Sequence, residues 1–154
     1  MFRFIEQCLA NYVLTSVTIS WFLAQSIKVV IYWIRDKEFS LWHFFEAGGM
    51  PSAHSATVTA LTLSILLTYG LQSPLFVISI VFALIVMYDA TGVRRAAGKQ
   101  AEILNKIVDD IYSTGKVKVE KLKEILGHDP FEVVCGAALA VIVTSLIYYV
   151  YFIR

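Results

Sequence analysis

The sequence predicts an all-α, polytopic membrane helical bundle of about four transmembrane helices, with an amphipathic helix between the third and the fourth. Three observations predict it. Of the 154 residues, 58% are hydrophobic, above the roughly 45–50% usual for soluble domains. The excess is gathered into four blocks rather than spread along the chain. Lysine and arginine are divided very unevenly among the segments between those blocks.

Leu9 to Ile34 forms the first block, interrupted only by uncharged polar residues and Lys28. His54 to Leu71, rich in Ser and Thr, forms the second, Pro74 to Tyr88 the third and Phe131 to Ile153 the fourth. A bilayer core of about 30 Å requires about 20 helical residues. The first and fourth blocks meet this length. The second and third are shorter and are joined by Leu71-Gln72-Ser73-Pro74, which suits a tight helical hairpin or two tilted spans. Between the third and fourth blocks lies a charged segment, Val93 to Gly127. Ala96, Ala97, Ala101, Leu104, Val108 and Ile111 recur there at helical spacing, which predicts an amphipathic helix continuing the third span beyond the bilayer. Ser113-Thr114-Gly115 is its expected stop, and Val119 to Leu126 reads as a second short helix closed by Gly127. No repeat, linker or low-complexity tract divides residues 1–154, which read as a single domain.

With four spans, the loop after the first and the segment after the third share one side of the membrane. That side holds Arg35, Lys37, Arg94, Arg95, Lys99, Lys106 and the four lysines from Lys116 to Lys123, ten basic residues against Arg3 and Arg154 opposite. The bias places the basic side in the cytoplasm. The net charge of +1 singles out no partner class, and nothing suggests nucleic acid. Cys8 and Cys135 lie in apolar runs without metal-ligand spacing and read as small buried hydrophobes. The first block has no small-residue cleavage site and is too long for a secretory leader.

Four places combine chemistry-bearing residues with a helix boundary. Gln25, Lys28, Tyr32 and Arg35 form a polar stripe on the otherwise apolar first span. Such a stripe fits a polar pocket, although a lysine near a span's end also snorkels. Gly48-Gly49-Met50-Pro51-Ser52-Ala53-His54-Ser55 joins glycines that permit tight turns to a capped helix start. The N–H groups of such a start attract anions, and His54, one turn in, could give a proton to a leaving oxygen. An ordinary capped helix start with an interfacial histidine also accounts for this string. Ser55, Thr59 and Thr62 continue along one face as helix-packing residues.

His128 precedes the fourth span in Gly127-His128-Asp129-Pro130-Phe131-Glu132. Glu132, one helical turn on, can hold the imidazole Nδ1 proton and leave Nε2 as a nucleophile. The plainer alternative makes Asp129 a cap and His128 a loop residue. In Tyr88-Asp89-Ala90-Thr91-Gly92-Val93-Arg94-Arg95, one of Arg94 and Arg95 is suited to bidentate phosphate contact. Asp89 could balance that arginine or Lys28. Both arginines also suit simple flanking of a span on the cytoplasmic side.

Together these strings resemble the type 2 phosphatidic acid phosphatase superfamily, which includes the vanadium haloperoxidases. The superfamily reads Lys-x6-Arg-Pro, Pro-Ser-Gly-His and Ser-Arg-x5-His-x3-Asp. Lys28 and Arg35 match the first spacing, with Asp36 in place of the proline. Pro51, Ser52 and His54 match the second, with Ala53 for glycine, and His128 and Glu132 match the end of the third, with Glu for Asp. The Ser-Arg pair is absent, so Arg94 or Arg95 would supply the guanidinium. The longer strings are similar to the small branch called the divergent acid phosphatase and haloperoxidase related family.

The resemblance implies a metal-independent phosphatase that works without a cofactor through a phosphohistidine. It makes His128 the nucleophile, Glu132 its orienting carboxylate and His54 the general acid. Lys28, Arg35, Ser52 and one of Arg94 or Arg95 would bind phosphate, with Asp89 in support. The expected substrate is a phosphomonoester or diphosphate on a bilayer lipid, met on the cytoplasmic face of the cell membrane. A homodimer is a plausible way to complete the pocket wall. The competing readings are a non-catalytic membrane protein that binds anionic lipid phosphate, and a metal site drawn from His54, His128, Asp89 and Asp129, whose spacing carries no metal signature.

Overall fold

The computed structural model describes residues 10–37, 39–45, 48–112 and 128–154. Its elements are α1 (Tyr12–Asp36), a single 3-10 turn (Leu41–Phe44), α2 (Ala53–Tyr69), α3 (Pro74–Thr91), α4 (Val93–Tyr112) and α5 (Pro130–Phe152), with no strand among the described residues. This is the all-α membrane bundle expected from the composition. α1, α3 and α5, of 25, 18 and 23 residues, are long and apolar enough to cross a membrane. α2 has 17 residues, about 26 Å at 1.5 Å per residue, a little less than the hydrocarbon thickness.

Each helix boundary has a local cause. The Asn11 side chain accepts a hydrogen bond from the Leu14 N–H at 3.0 Å and caps α1. Lys37 closes α1 in the left-handed region at φ 58°, its N–H reaching the Trp33 carbonyl at 3.0 Å. Ser52 and Ser73 cap α2 and α3 through hydrogen bonds from the N–H groups of Ser55 and Leu75, and Pro74 opens α3 where no N–H is needed. Pro51 precedes the cap at Ser52.

The amphipathic segment follows the third span directly, as a separate helix. The backbone breaks at Gly92 (φ −99°, ψ −81°), although its N–H still reaches the Tyr88 carbonyl at 2.8 Å. A Cβ there would lie 3.0 Å from that same carbonyl oxygen, so glycine allows the close turn. The Ser113-Thr114-Gly115 stop and the helix expected over Val119 to Leu126 lie outside the described residues.

Burial is inverted relative to a soluble protein. The interior is made of small and hydroxyl side chains, including Ala24, Ala56, Ala60 and Ala140 together with Ser16, Ser20, Ser64 and Thr144. The exposed surface carries Phe22, Ile34, Ile78, Leu84, Ile85, Ile142 and Leu146. Lipid removes the hydrophobic drive for helices to associate, so close packing of small residues takes its place. α2 is the hub, packing against α1, α3 and α5, and α1 also packs on α5. The Thr62 hydroxyl crosses from α2 to the Ser79 carbonyl of α3 at 3.1 Å. Among the described residues α1 and α3 make no helix–helix contact. That gap positions the cavity described next. α4 packs only on α3 among the described residues, with Ile103, Leu104 and Ile107 exposed.

Candidate functional site

The site sits where the first turns of α2 and α5 meet. Asp129 caps α5, Pro130 opens it, and Glu132 stands at the third helical position. There one carboxylate oxygen, Oε2, accepts from the Asp129 N–H at 3.2 Å and meets Nδ1 of His128 at 2.9 Å. A glutamate at this position closes a capping box. That gives a physical reason for Glu where the superfamily pattern has Asp, because the longer side chain can reach back to the cap. The helix N-terminus also favours a negative charge there.

His128 is 2% exposed. Its backbone N–H donates to the Ala90 carbonyl at the end of α3, 2.9 Å away. Its Nε2 lies 3.3 Å from Nδ1 of His54, with the two rings inclined at 65°. A continuous chain thus runs from Glu132 through His128 to His54. When Glu132 accepts the Nδ1 proton of a neutral His128, Nε2 is left as an acceptor, and Nδ1–H of His54 is the matching donor.

The α2 and α5 starts are tied together closely. The Ser52 N–H donates to the Glu132 carbonyl at 3.0 Å. The buried Ser55 hydroxyl lies 2.8 Å from the Val133 carbonyl and 3.1 Å from that of Ser52. At Gly136 an added Cβ would collide with the Ser52 carbonyl and the Ser55 hydroxyl, so only glycine admits this approach.

His54 also lines a cavity of about 510 Å³, walled by Trp21, Gln25 and Lys28 of α1, Phe45, the first turns of α2 and Phe82 and Val86 of α3. The cavity lies over α2 between α1 and α3. Its walls are mostly apolar, with polar groups concentrated at Gln25, Lys28, His54 and Thr57. Lys28 is 1% exposed, so its ammonium stands inside the bundle rather than at its rim. The Oε1 of Gln25 is buried without a hydrogen-bond partner among the described residues.

The polar stripe on α1 therefore divides. Gln25 and Lys28 enter the cavity wall. Tyr32 stacks on His43 at 4.4 Å between centroids and underlies Gly49, where a Cβ would come within 2.8 Å of its hydroxyl and φ is +80°. Arg35 is exposed, lies over the Tyr32 ring and pairs with Asp36 through two hydrogen bonds of 2.8 and 3.0 Å. It is not among the residues lining the cavity. Asp36, standing where the superfamily has proline, is the group that holds it.

Ser52 is fully buried as the α2 cap and is not in the cavity wall. Asp89 is partly buried beside Ala90, at the junction that anchors His128. Arg94 and Arg95 belong to the first turn of α4, and the phosphate role expected of their side chains lies outside what the structure describes. No three His, Cys, Asp or Glu side chains gather into a metal-binding group among the described residues. The residue pattern does not mark the Gly136 contact or the Ala90 carbonyl. Gly136-x3-Ala140 is a small-residue spacing that fits the first without assigning it to the site. A backbone acceptor such as Ala90 leaves no residue-type signal.

Fold and site together define an all-α membrane bundle with a carboxylate–imidazole–imidazole chain at the meeting of two helix starts. Residues 9–143 match the model of the Divergent PAP2 family, and the chain belongs to that family. It is similar to the uncharacterized membrane protein YuiD of Bacillus subtilis (strain 168), with 42% identity over 93% of this chain and 98% of that one. No solved structure matches.

Proposed function

We propose that this chain is a membrane-embedded hydrolase of lipid phosphates that works through a phosphohistidine, its site facing the cytoplasm. The observation that carries this reading is the Glu132–His128–His54 chain set beside a cavity holding Lys28. The cavity's composition supports an amphiphilic substrate, with an ammonium and an imidazole for the phosphate and aromatic and aliphatic walls for a chain. Membership of the Divergent PAP2 family supports phosphatase-related chemistry.

Glu132 fixes the His128 ring, and the Nε2 lone pair of His128 forms the N–P bond as the P–O bond to the lipid breaks. The leaving oxygen takes its proton from His54. Water then attacks phosphorus, returning a proton to His54, as the N–P bond to His128 breaks and phosphate leaves. For His128 to attack, His54 must turn from Nε2 toward the leaving oxygen, so the contact between the rings belongs to the resting enzyme. Lys28 stabilises the phosphoryl oxygens, since phosphoryl transfer depends mainly on positioning and charge. The asymmetry of basic residues supports the cytoplasmic orientation.

The test is phosphate release from a panel of phosphatidylglycerophosphate, phosphatidic acid and isoprenoid diphosphate, with wild type and His128→Ala. Hydrolysis of one lipid that is lost in the variant supports the reading, and full activity in the variant overturns the nucleophile assignment. The Arg35–Asp36 pair, which leaves Lys28 as the cation in the cavity wall among the described residues, favours a second reading in which lipid phosphate is bound without turnover. Binding of the same lipids with no release of phosphate would select it.

A further inference from the structure

The sequence reading made Ser55 an ordinary packing residue, but its surroundings are unusual. It is 1% exposed, and its hydroxyl reaches the Val133 carbonyl of α5 and the Ser52 carbonyl at the start of α2. Helical carbonyls from the first turns of two different helices thus converge on one hydroxyl. Beside it, Ser52 and Glu132 are joined through their backbones, and Gly136 leaves room for the approach. His54 immediately precedes Ser55, and Glu132, which holds His128, immediately precedes Val133. The tie therefore lies one residue from each end of the Glu132–His128–His54 chain.

We propose that Ser55 is a positioning residue, whose hydroxyl ties the first turn of α2 to the first turn of α5 and so sets the His54–His128 contact. The hydroxyl touches neither ring, and it acts through the backbone that carries both. Its kinetic consequence rests on the hydrolase reading above, whereas its geometric consequence does not. A displacement of about 1 Å between reacting groups can cost on the order of a hundredfold in rate, and loss of the hydroxyl leaves the two helix starts held by the Ser52–Glu132 backbone bond without this second tie. Lys28, the cation assigned to the phosphoryl oxygens, lies on α1, which the tie does not join, so KM should change less than kcat.

The experiment uses the full chain in lipid nanodiscs, with histidine labelled in its ring nitrogens. His43, the third histidine, is the internal reference. In wild type, Nε2 of His128 should report an acceptor and Nδ1 of His54 a donor. Ser55→Ala should shift both sets of ring signals, leave those of His43 in place, and keep a cooperative thermal transition. Ser55→Thr, which retains the hydroxyl, should restore them. Gly136→Ala, which keeps the hydroxyl but forces it off its acceptors, should reproduce the Ser55→Ala spectrum and supplies a second arm if the threonine variant does not fold. On a lipid that wild type hydrolyses, Ser55→Ala should lower kcat between about ten- and a hundredfold with KM within about twofold.

Wild-type kcat in Ser55→Ala overturns the proposal whatever the spectra show. So does a parallel fall of kcat, substrate binding and thermal stability that threonine does not rescue, since that marks a purely structural role. If wild type hydrolyses no lipid in the panel, the hydrolase reading fails separately. The ring signals then decide for Ser55: shifted in the alanine variant they support the tie, and unshifted they overturn it.

Discussion

The two ends of the bundle both bury polar side chains, and they differ in how these are joined. Around the imidazole pair the polar groups form a network. Glu132 serves two donors, His128 has a partner at each ring nitrogen and at its backbone N–H, and Ser55 bridges two helices. At the far end the hydroxyl of Thr144, like that of Ser20 midway along α1, is fully buried with no hydrogen-bond partner among the described residues. That end is closed instead by rings, with Tyr12 edge-on to Tyr148 and Phe152 and its hydroxyl 3.4 Å from the Thr144 carbonyl. Hydrogen bonds are directional, so a network of them specifies where each side chain points. Small hydroxyl residues packed as substitutes for alanine specify only how close two helices come. The difference teaches which buried polar groups carry positional information.

The sharpest break in that comparison is His128→Ala. On a lipid phosphate that wild type hydrolyses, kcat/KM should fall by at least about a thousandfold, as expected for loss of an attacking group. Glu132→Gln should follow with a loss of about a hundredfold or more, because the ring loses the carboxylate that selects its tautomer. Phosphate release measures both. At Gly136 the effect should appear in stability: Gly136→Ala should cost about 1–3 kcal/mol, the range for forcing atoms into a packed interior, read from unfolding in detergent. Arg35→Ala should reduce hydrolysis less than Lys28→Ala does, because Arg35 is exposed and held by Asp36 whereas Lys28 lines the cavity. Equal losses would mean that Arg35 leaves Asp36 when substrate binds. The smallest effect belongs to the partnerless hydroxyls away from the imidazole pair. Ser20→Ala should change stability by no more than about 1 kcal/mol and in the stabilising direction, since it removes a buried hydroxyl that has no partner. A marked destabilisation there would show that these hydroxyls also carry positional information.

Much of the architecture was legible from residue order. The four apolar blocks map onto α1, α2, α3 and α5 with ends displaced by a few residues. Ser52, Asp129, Pro74 and Pro130 are boundary signals whose chemistry is local, which is why they read correctly. Glu132 beside His128 was legible for the same reason, since a four-residue spacing on a helix start brings the pair together wherever the helix sits. The break at Gly92 was not legible. Apolar periodicity runs through that residue, and a single glycine inside a helical pattern does not by itself announce a turn. The polar stripe on α1 was correct as a stripe but did not reveal its division, because Asp36 competes for Arg35 only once both are placed on the last turn.

Composition and short-range pattern thus determined that this chain is a membrane helical bundle, where its helices begin, and which residues were candidates for chemistry. These properties depend on neighbours within one turn and on the preference of apolar runs for lipid. Tertiary structure alone decided that His54 and His128, 74 residues apart, meet ring to ring, that Lys28 is enclosed while Arg35 is not, and that Ser55 and Gly136 belong beside the site. Those facts follow from the register of α2 against α5. Register is set by the closest approach that a missing side chain permits, a steric condition between distant segments that no local pattern records.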